Sequence, residues 1–157
     1  MLIKEVVNSA QKSTLCHQIL IALPDWFGIP ESIADYVENV KNKPFYAVYD
    51  GEVAVGFVSI KVHNQFCAEI YVMGILQTYH RKGLGREIVK TCEQFCQQQG
   101  IEFLTVKTLD EQHPDMFYQK TRLFYESMGF RPLEVFPLLW DESNPCLFLA
   151  KHASQFG

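Results

Sequence analysis

The amino-acid sequence predicts an α/β (α+β) fold, in which a mixed, mostly antiparallel central sheet of about seven strands is flanked by about four helices. Two sequence patterns and the order of the elements support this fold class. Short runs rich in β-branched and aromatic residues indicate strands, and longer segments with apolar residues at helical spacing indicate helices. The strands first meander and are then joined through helices, which is typical of a mixed sheet covered by helices.

The first half of the chain predicts two helices and four strands. One helix is expected over 12–22, ending before Pro24, and the second over about 31–41, where Pro30 favours a helix start. Asp50 and Gly51 favour a hairpin turn. The predicted strands are residues 2–7, 44–49, 53–62 and 66–75.

The second half predicts two further helices and three strands. The first of these helices runs from the turn at 80–86 to Gly100, with Glu93 on its polar side. Its apolar face consists of Leu84, Ile88, Val89, Cys92, Phe95 and Cys96. The last helix, over 115–128, ends at Gly129, and its inward residues are expected to be Phe117, Thr121, Phe124 and Met128. The remaining strands are 101–108, 130–139 and 146–151.

Length and charge restrict the class of protein. At 157 residues the chain fits a single domain over 1–157 that can bury a substantial core. A formal net charge of −4 argues against a nucleic-acid partner and is compatible with a cationic acceptor such as an amine. No apolar run approaches the ~18 residues of a membrane span, so no membrane partner is expected.

The five cysteines are odd in number and lie among apolar neighbours. Cys92 and Cys96 lack the histidine pair that would complete a zinc site. We therefore expect reduced thiols in or near the core, and no metal. Because Lys4 and Glu5 follow Met1 closely, no signal peptide is expected and the predicted compartment is the cytoplasm.

A basic, glycine-containing turn at 80–86 is the strongest functional signal. It lies between a predicted strand and a predicted helix, and the unpaired N–H groups of a helix start attract anions. Gly83 and Gly85 remove side chains that would keep a phosphate away from the backbone. Positive charge is added by Arg81, Lys82 and Arg86. The pattern indicates a pyrophosphate site, although an ordinary strand–turn–helix connection with solvated charges would contain the same residues.

Two common phosphate motifs do not fit this turn, which disfavours a nucleotide-binding protein of another fold. In a Walker A loop the Lys follows the last Gly, whereas Lys82 precedes Gly83, and a Rossmann fingerprint needs Gly or Ala where Ile88 stands. The turn instead resembles motif A of the GNAT superfamily, the acyl-CoA-dependent N-acetyltransferases. Gly83 and Gly85 match the glycine positions of that motif, and His80 stands where the family prefers Arg or Gln.

A second stretch resembles the same superfamily. Residues 124–130, Phe-Tyr-Glu-Ser-Met-Gly-Phe, are similar to its motif B, and the two motifs together span 66–130. The resemblance implies a GNAT-like fold and acetyl-CoA as co-substrate. Many relatives are dimers, so a homodimer is open, but no interface is identified in the sequence. The resemblance also implies that CoA contacts Met73, Gly74, Ile75, His80, Arg81, Lys82, Gly83, Leu84, Gly85 and Arg86.

Acetyl transfer to an amine requires a base, donors for the oxyanion and an acid for the leaving thiolate. Glu69 is the candidate base, because residues 67–70 are similar to a segment of histone-acetylating relatives and because an apolar strand would weaken its preference for the ionised form. It would act through water, since about 13 Å separates it from Met73 in a straight strand. A solvated or ion-paired Glu69 is the alternative.

The resemblance implies two further roles. Main-chain groups of Met73 and Ile75 would bind the pantetheine arm and the acetyl carbonyl; Gly74 fits close approach of a ligand, although a β-bulge would explain it equally well. Tyr125, in motif B, resembles the general acid, because a phenol keeps its proton at neutral pH. Tyr118 is a weaker candidate for lining the site.

Other residues are less well placed for chemistry. No well-placed nucleophile argues for a covalent enzyme intermediate, since Cys67 is the only strand thiol near Glu69. Direct attack in a ternary complex is therefore expected. His113 has a suitable side chain but lies in a predicted loop. Trp26 and Phe27 either pack over an edge of the core or line an acceptor pocket.

The acceptor is expected to be a small-molecule or peptide amine. Three loops, at 24–31, 109–115 and 140–145, are expected to shape its pocket. Their acids indicate a cationic amine; they are Asp25, Glu31, Asp110, Glu111 and Asp141. A small polyamine, an aminoglycoside, and a protein Lys or N-terminus all remain open. The alternative function is that of a non-catalytic CoA or acyl-CoA sensor.

Overall fold

The computed structural model of the chain describes residues 1–113 and 115–157, so Pro114 of the predicted acidic loop lies outside the described residues. Within these ranges the α-helices are α1 (Ser9–Ile21), α2 (Pro30–Asn39), α3 (Leu84–Gln99) and α4 (Met116–Ser127). The strands are β1 (Leu2–Glu5), β2 (Phe45–Asp50), β3 (Val53–Val62), β4 (Cys67–Ile75), β5 (Phe103–Leu109), β6 (Arg131–Asp141) and β7 (Asn144–His152).

The strands form one sheet in the order β1-β2-β3-β4-β5-β7-β6. Antiparallel pairing joins β1 to β2, β2 to β3, β5 to β7 and β6 to β7. Residues that face each other across these pairs include Ile3 and Val48, and Val106 and Leu149. The predicted fold class, a mostly antiparallel mixed sheet with helices, is therefore confirmed.

Contacts divide the chain into two compact units. The first comprises Met1–Val62 and Ile70–Val89, and the second comprises His63–Glu69 and Lys90–Gly157. The prediction of one domain over 1–157 stays a prediction. None of the described helices has both the length and the apolar character needed to span a membrane.

Each unit buries its own apolar side chains. In the first, Ile19 and Leu20 of α1 belong to a cluster with Phe45 and Phe57, whose rings stack with centroids 5.2 Å apart. The most deeply buried apolar residues of the second unit include Cys92, Leu104, Phe130 and Leu149. Burial of this kind is the main favourable term in folding.

Two predicted boundaries were wrong for identifiable reasons. α1 begins at Ser9 rather than residue 12, because the Asn8 side chain caps the helix by accepting the N–H of Gln11 at 2.9 Å. The predicted loop at 140–145 is reduced to a tight turn at 142–143, since Trp140 and Asp141 belong to β6 and Asn144 to β7. This segment therefore offers little loop to shape an acceptor pocket.

The residues predicted to face inward are buried or half-buried in both helices, but each helix also buries a charged residue that was not expected there. In α3 this residue is Glu93, predicted to be polar and outward and only 1% exposed. In α4, Phe117, Thr121 and Phe124 are half-buried and Met128, just after the helix, is buried, as predicted. Arg122 and Tyr125 are buried as well.

A polar contact explains why Arg122 is buried. One guanidinium nitrogen of Arg122 donates to the carbonyl oxygens of Leu109, at 2.9 Å, and Asp110, at 3.1 Å. A buried arginine that satisfies backbone carbonyls at a strand end turns its own side of the helix inward. The predicted left-handed caps are confirmed, because φ is +70° at Gly100 and +95° at Gly129.

Candidate active site

The turn before α3 has an unusual backbone. Arg81 has φ of +62° and is the only non-glycine residue with a positive φ in the part of the chain that the structure describes. Gly83 follows with φ of +81°, and a Cβ built there would meet no atom within 4 Å. Glycine at 83 is therefore required by the backbone conformation rather than by space. A non-glycine residue such as Arg81 in this region carries local strain, which is common at binding sites.

This turn presents N–H groups at the start of a helix. The first helical hydrogen bond of α3 runs from the Glu87 N–H to the Gly83 carbonyl at 3.2 Å. The N–H groups of Leu84, Gly85 and Arg86 consequently have no acceptor inside the helix. Such groups, together with the helix dipole, suit an anion.

The surroundings of the turn add positive charge and fix its position. The side chains of Arg81, Lys82 and Arg86 are exposed. The Lys82 ammonium lies 5.2 Å from the centroid of the Tyr79 ring, and the Tyr79 hydroxyl donates to a carboxylate oxygen of Asp50 at 2.6 Å. The turn is thus anchored to the β2–β3 hairpin. Gly85 and Arg86, predicted in the turn, lie in the first turn of α3.

The carboxyl end of β4 contains the three other predicted CoA-binding residues. Met73 and Ile75 are half-buried and Gly74 is buried. A Cβ on Gly74 would lie 3.1 Å from Ile19 Cγ2 and 3.2 Å from Leu23 Cδ1. Close packing against α1 is therefore sufficient reason for a glycine at 74, whether or not a ligand approaches the strand.

His80 is turned back toward this strand end. Its Nε2 lies 2.6 Å from the carbonyl oxygen of Ile75, and because a carbonyl only accepts, Nε2 carries the proton. The imidazole also meets the Trp26 ring edge to face, with centroids 5.3 Å apart. The His80 N–H donates to the Gln77 carbonyl at 3.1 Å, so both the ring Nε2 and the backbone N–H of this residue have acceptors within the protein.

Glu69, the candidate base, lies in a more polar place than its strand suggests. Its side chain is buried, and Lys107 Nζ lies 3.1 Å from one carboxylate oxygen and 3.2 Å from the other. His63 Nε2 lies 2.7 Å from the first oxygen. The expected apolar surroundings are therefore wrong, because Glu69 is ion-paired with Lys107. Its role as the base stays a prediction.

The thiols near Glu69 are poor nucleophiles. Burial is the main cause that raises the pKa of Cys67 above its usual value, and burial raises that of Cys146 to about 11. Both stay protonated at neutral pH, whereas the thiolate is the reactive form. All five cysteines are free, as predicted.

Tyr125 is buried in α4 between aromatic neighbours. Its ring lies 5.3 Å from that of Phe124 and 5.6 Å from that of Phe130. Burial, with the Cys92 thiol as a second cause, raises the pKa of the Tyr125 phenol. The hydroxyl therefore keeps its proton at neutral pH and can donate it. Burial, with Asp115 second, also raises the pKa of Tyr118 to about 12.

Three weaker candidates have structural contacts. His113 Nδ1 accepts the N–H of Asp115 at 3.3 Å and the His113 N–H donates to the Asp110 carbonyl at 3.0 Å, so this histidine helps to form the turn before α4. Trp26 and Phe27 pack against the apolar cluster of the first unit. This supports the packing interpretation of that aromatic pair.

Sequence reasoning missed Lys107, His63 and Arg122. Lys107 is 38 positions from Glu69 and reaches it only because both side chains project from their strands in the folded chain. His63 is six positions from Glu69, beyond a turn, so no strand or helix period links them. No local pattern marked Arg122 as buried, since a charged residue in an amphipathic helix is expected on its polar side.

Comparison with known proteins gives a consistent result. The sequence model of the acetyltransferase (GNAT) family matches residues 15–130. An uncharacterized N-acetyltransferase of Chlorobaculum tepidum is 26% identical over 121 residues, which cover 75% of this chain and 70% of that protein.

Solved structures share the fold at low sequence identity. A protein assigned to the GNAT family from Desulfovibrio desulfuricans superposes with a TM-score of 0.83 at 15% identity, covering 97% of this chain and 98% of its own. An aminoglycoside 6′-N-acetyltransferase, solved with coenzyme A, gives a TM-score of 0.74 at 20% identity, with coverages of 98% and 97%. At these identities the similarity demonstrates the fold.

Proposed function

We propose that this chain, which belongs to the acetyltransferase (GNAT) family, moves an acetyl group from acetyl-CoA to a primary amine by direct attack in a ternary complex. The observation that carries the proposal is the turn before α3. Its left-handed Arg81 and Gly83 lead into a helix start whose first N–H groups lack helical acceptors, and exposed cations surround it. These groups suit the pyrophosphate of CoA.

In the proposed reaction the amine first loses a proton and its nitrogen attacks the acetyl carbonyl carbon. Main-chain groups at Met73 and Ile75 would bind the pantetheine arm and the oxygen that becomes negative. The carbon–sulfur bond then breaks, and Tyr125 donates its proton to the departing sulfur. As the amide forms, the attacking nitrogen releases a second proton, which can return to Tyr125, and the products are an N-acetylated amine and CoA. Because burial raises the pKa of Tyr125, tyrosinate is costly and the tyrosine must regain a proton before the next turnover.

Glu69 is the proposed proton acceptor in this scheme, acting through water. Its carboxylate is buried, and its contacts with Lys107 and His63 hold it in one position. His63 is half-buried, which gives the proton a path toward solvent. Cys67 is not used, since its thiol stays protonated.

We infer that the acceptor is a cationic amine. A cavity of about 430 Å³ lies within the second unit, at the end of β5 and the start of α4. Among the described residues that line it, the ionisable ones are Asp110, Glu111, His113, Asp115, Arg122 and Glu126. Four carboxylates against one guanidinium favour a positive ligand. Small polyamines, aminoglycosides and peptide amines all satisfy this chemistry.

The second candidate function is a CoA or acyl-CoA sensor without turnover. The buried, protonated Tyr125 favours the enzyme, because a sensor has no need for a proton donor. The proposal includes a cytoplasmic location, which five free thiols support, and chemistry without metal. A homodimer stays a prediction.

The test is calorimetric binding of acetyl-CoA and CoA, followed by thiol release against a panel of amines. Binding with amine-dependent release is expected. Binding without release from any amine of the panel would favour the sensor. Absence of binding would overturn the assignment of the turn at 80–86.

Two variants separate binding from chemistry. Gly83→Val should abolish CoA binding while the fold persists, because φ of +81° disfavours a β-branched residue and an added Cβ would meet no other atom within 4 Å. Tyr125→Phe should lower kcat by about 10²–10⁴-fold with little change in CoA affinity. Unchanged CoA affinity in the first variant, or full turnover in the second, would contradict the assigned roles.

A further inference from the structure

His80 connects two segments of the first unit that are far apart in sequence. Its Nε2–H donates to the carbonyl of Ile75, the last residue of β4, at 2.6 Å. Its ring also packs on Trp26, in the segment between α1 and α2. The strand end and the segment around Trp26 therefore share one side chain as a common support.

The contacts continue from Trp26 to the middle of β4. Phe27 meets Tyr36 of α2 edge to face at 6.1 Å, and Tyr36 meets Tyr71 of β4 at 5.4 Å. Tyr71 in turn accepts a hydrogen bond from the Asn39 amide at 3.1 Å. Two sets of ring contacts, His80 with Trp26 and Phe27 with Tyr36 and Tyr71, are thus joined through the adjacent residues Trp26 and Phe27. We call these five residues the aromatic row.

The aromatic row begins next to the anion-binding turn. His80 immediately precedes the left-handed Arg81, and only three residues separate it from Leu84, the first residue of α3. An anion held by the N–H groups of 84–86 would restrain this short segment. Any restraint on the backbone at 81–83 acts directly on the position of the His80 ring.

We propose that His80 is a positioning residue that couples CoA binding at the turn to the Trp26 segment and the end of β4. This inference rests on the proposed function, since CoA is the ligand of the turn. Its ring does not touch the reacting atoms; it holds the Ile75 carbonyl and Trp26 in place. CoA bound at the turn fixes the ring, and the ring fixes the segment beside it. By linkage, whatever orders the Trp26 segment strengthens CoA binding by the same factor.

Tryptophan fluorescence tests the coupling, because the chain has two tryptophans, Trp26 and Trp140. In a Trp140→Phe background all the tryptophan emission comes from Trp26. Addition of CoA should change this emission and reduce its quenching by acrylamide. His80→Ala should lose the CoA-dependent change, although calorimetry still shows CoA binding through the backbone of the turn.

Two further variants make the test specific. His80→Gln keeps an N–H donor for the Ile75 carbonyl. It should therefore restore part of the CoA-dependent change in Trp26 fluorescence, if His80→Ala acts through loss of that hydrogen bond. His17→Ala, an exposed position on α1, should leave the response intact. A CoA-dependent change that persists in His80→Ala would mean that CoA acts on Trp26 without His80, and it would overturn the inference. Absence of CoA binding in the unaltered protein would instead overturn the proposed function, and the inference with it.

Discussion

Two glutamates of the second unit each contact a lysine, and they differ in how far their partners reach solvent. Glu93 of α3 and Lys151 of β7 form a buried ion pair, which we call the sealed pair; their exposures are 1% and 6%. The other oxygen of Glu93 accepts the N–H of Gly157 at 3.3 Å. Glu69 is buried as well, but its partners Lys107 and His63 keep 28% and 32% of their side-chain surface exposed.

The comparison teaches that two buried carboxylates can differ in their access to solvent through their partners. Glu93 and Lys151 are both buried, so their contact joins α3 to β7 inside the second unit. His63, in contact with Glu69, is partly exposed, which suits the proton transfer proposed for Glu69. A sealed pair is costly to break, because the remaining charge stays buried without a partner.

The largest expected effect is therefore on stability, at the sealed pair. Lys151→Ala should lower the free energy of unfolding by about 3–5 kcal/mol, measured by urea denaturation, because Glu93 would keep a buried charge. The double variant Glu93→Leu with Lys151→Met should recover most of this loss. A loss in Lys151→Ala of under about 1 kcal/mol, the range of an exposed ion pair, would contradict the sealed character of the pair.

The second effect is on turnover, at the cluster of Glu69, Lys107 and His63, which we call the open cluster. Glu69→Gln should lower kcat by about 10²-fold or more, since the amide cannot accept the proton. It should also shift the limb of the pH–rate profile in which the rate increases with pH. Its unfolding free energy should change less than in Lys151→Ala, because Lys107 retains access to water. An unchanged limb would mean that another base acts or that the amine arrives deprotonated.

The smallest effect concerns the reactivity of thiols at pH 8. It reports how easily a reagent reaches the regions around Glu69 and around Glu93. Half-buried Cys67, beside the open cluster, should react first with a disulfide reagent, and Cys67→Ser should remove that phase. Cys96, beside Glu93, should react slowly, since burial raises its pKa to about 12 from an ordinary value of 9.0. Equal rates for Cys96 and Cys67 would show that the region around Glu93 is not sealed.

The raised pKa of Cys96 also determines how the free energy of unfolding changes with pH. The folded pKa of Cys96 lies above the unfolded value, so its contribution to stability is complete below about pH 9. This contribution is lost as the pH rises from 9 toward 12. Urea denaturation at increasing alkaline pH should follow this course.

Much of the fold could be predicted because its signals are local. The periodicity of α3, the caps at Gly100 and Gly129, and the glycines before α3 all depend on residues within a few positions of each other. The class of the protein followed from two short motifs. The burial of Arg122 in α4 could not be predicted, because its partners are carbonyl groups at and just after the end of β5.

The sequence by itself determined the order of strands and helices, the basic turn at 80–86 and the resemblance to a family that uses acetyl-CoA. These depend on covalent neighbours and on residue types, which a sequence records directly. Only the tertiary structure decided that Glu93 is sealed by Lys151, that Glu69 meets Lys107 and His63, and that His80 supports both Ile75 and Trp26. The physical reason is distance along the chain. Partners separated by tens of residues meet only through the pairing of strands and the packing of helices, and no local period records that meeting.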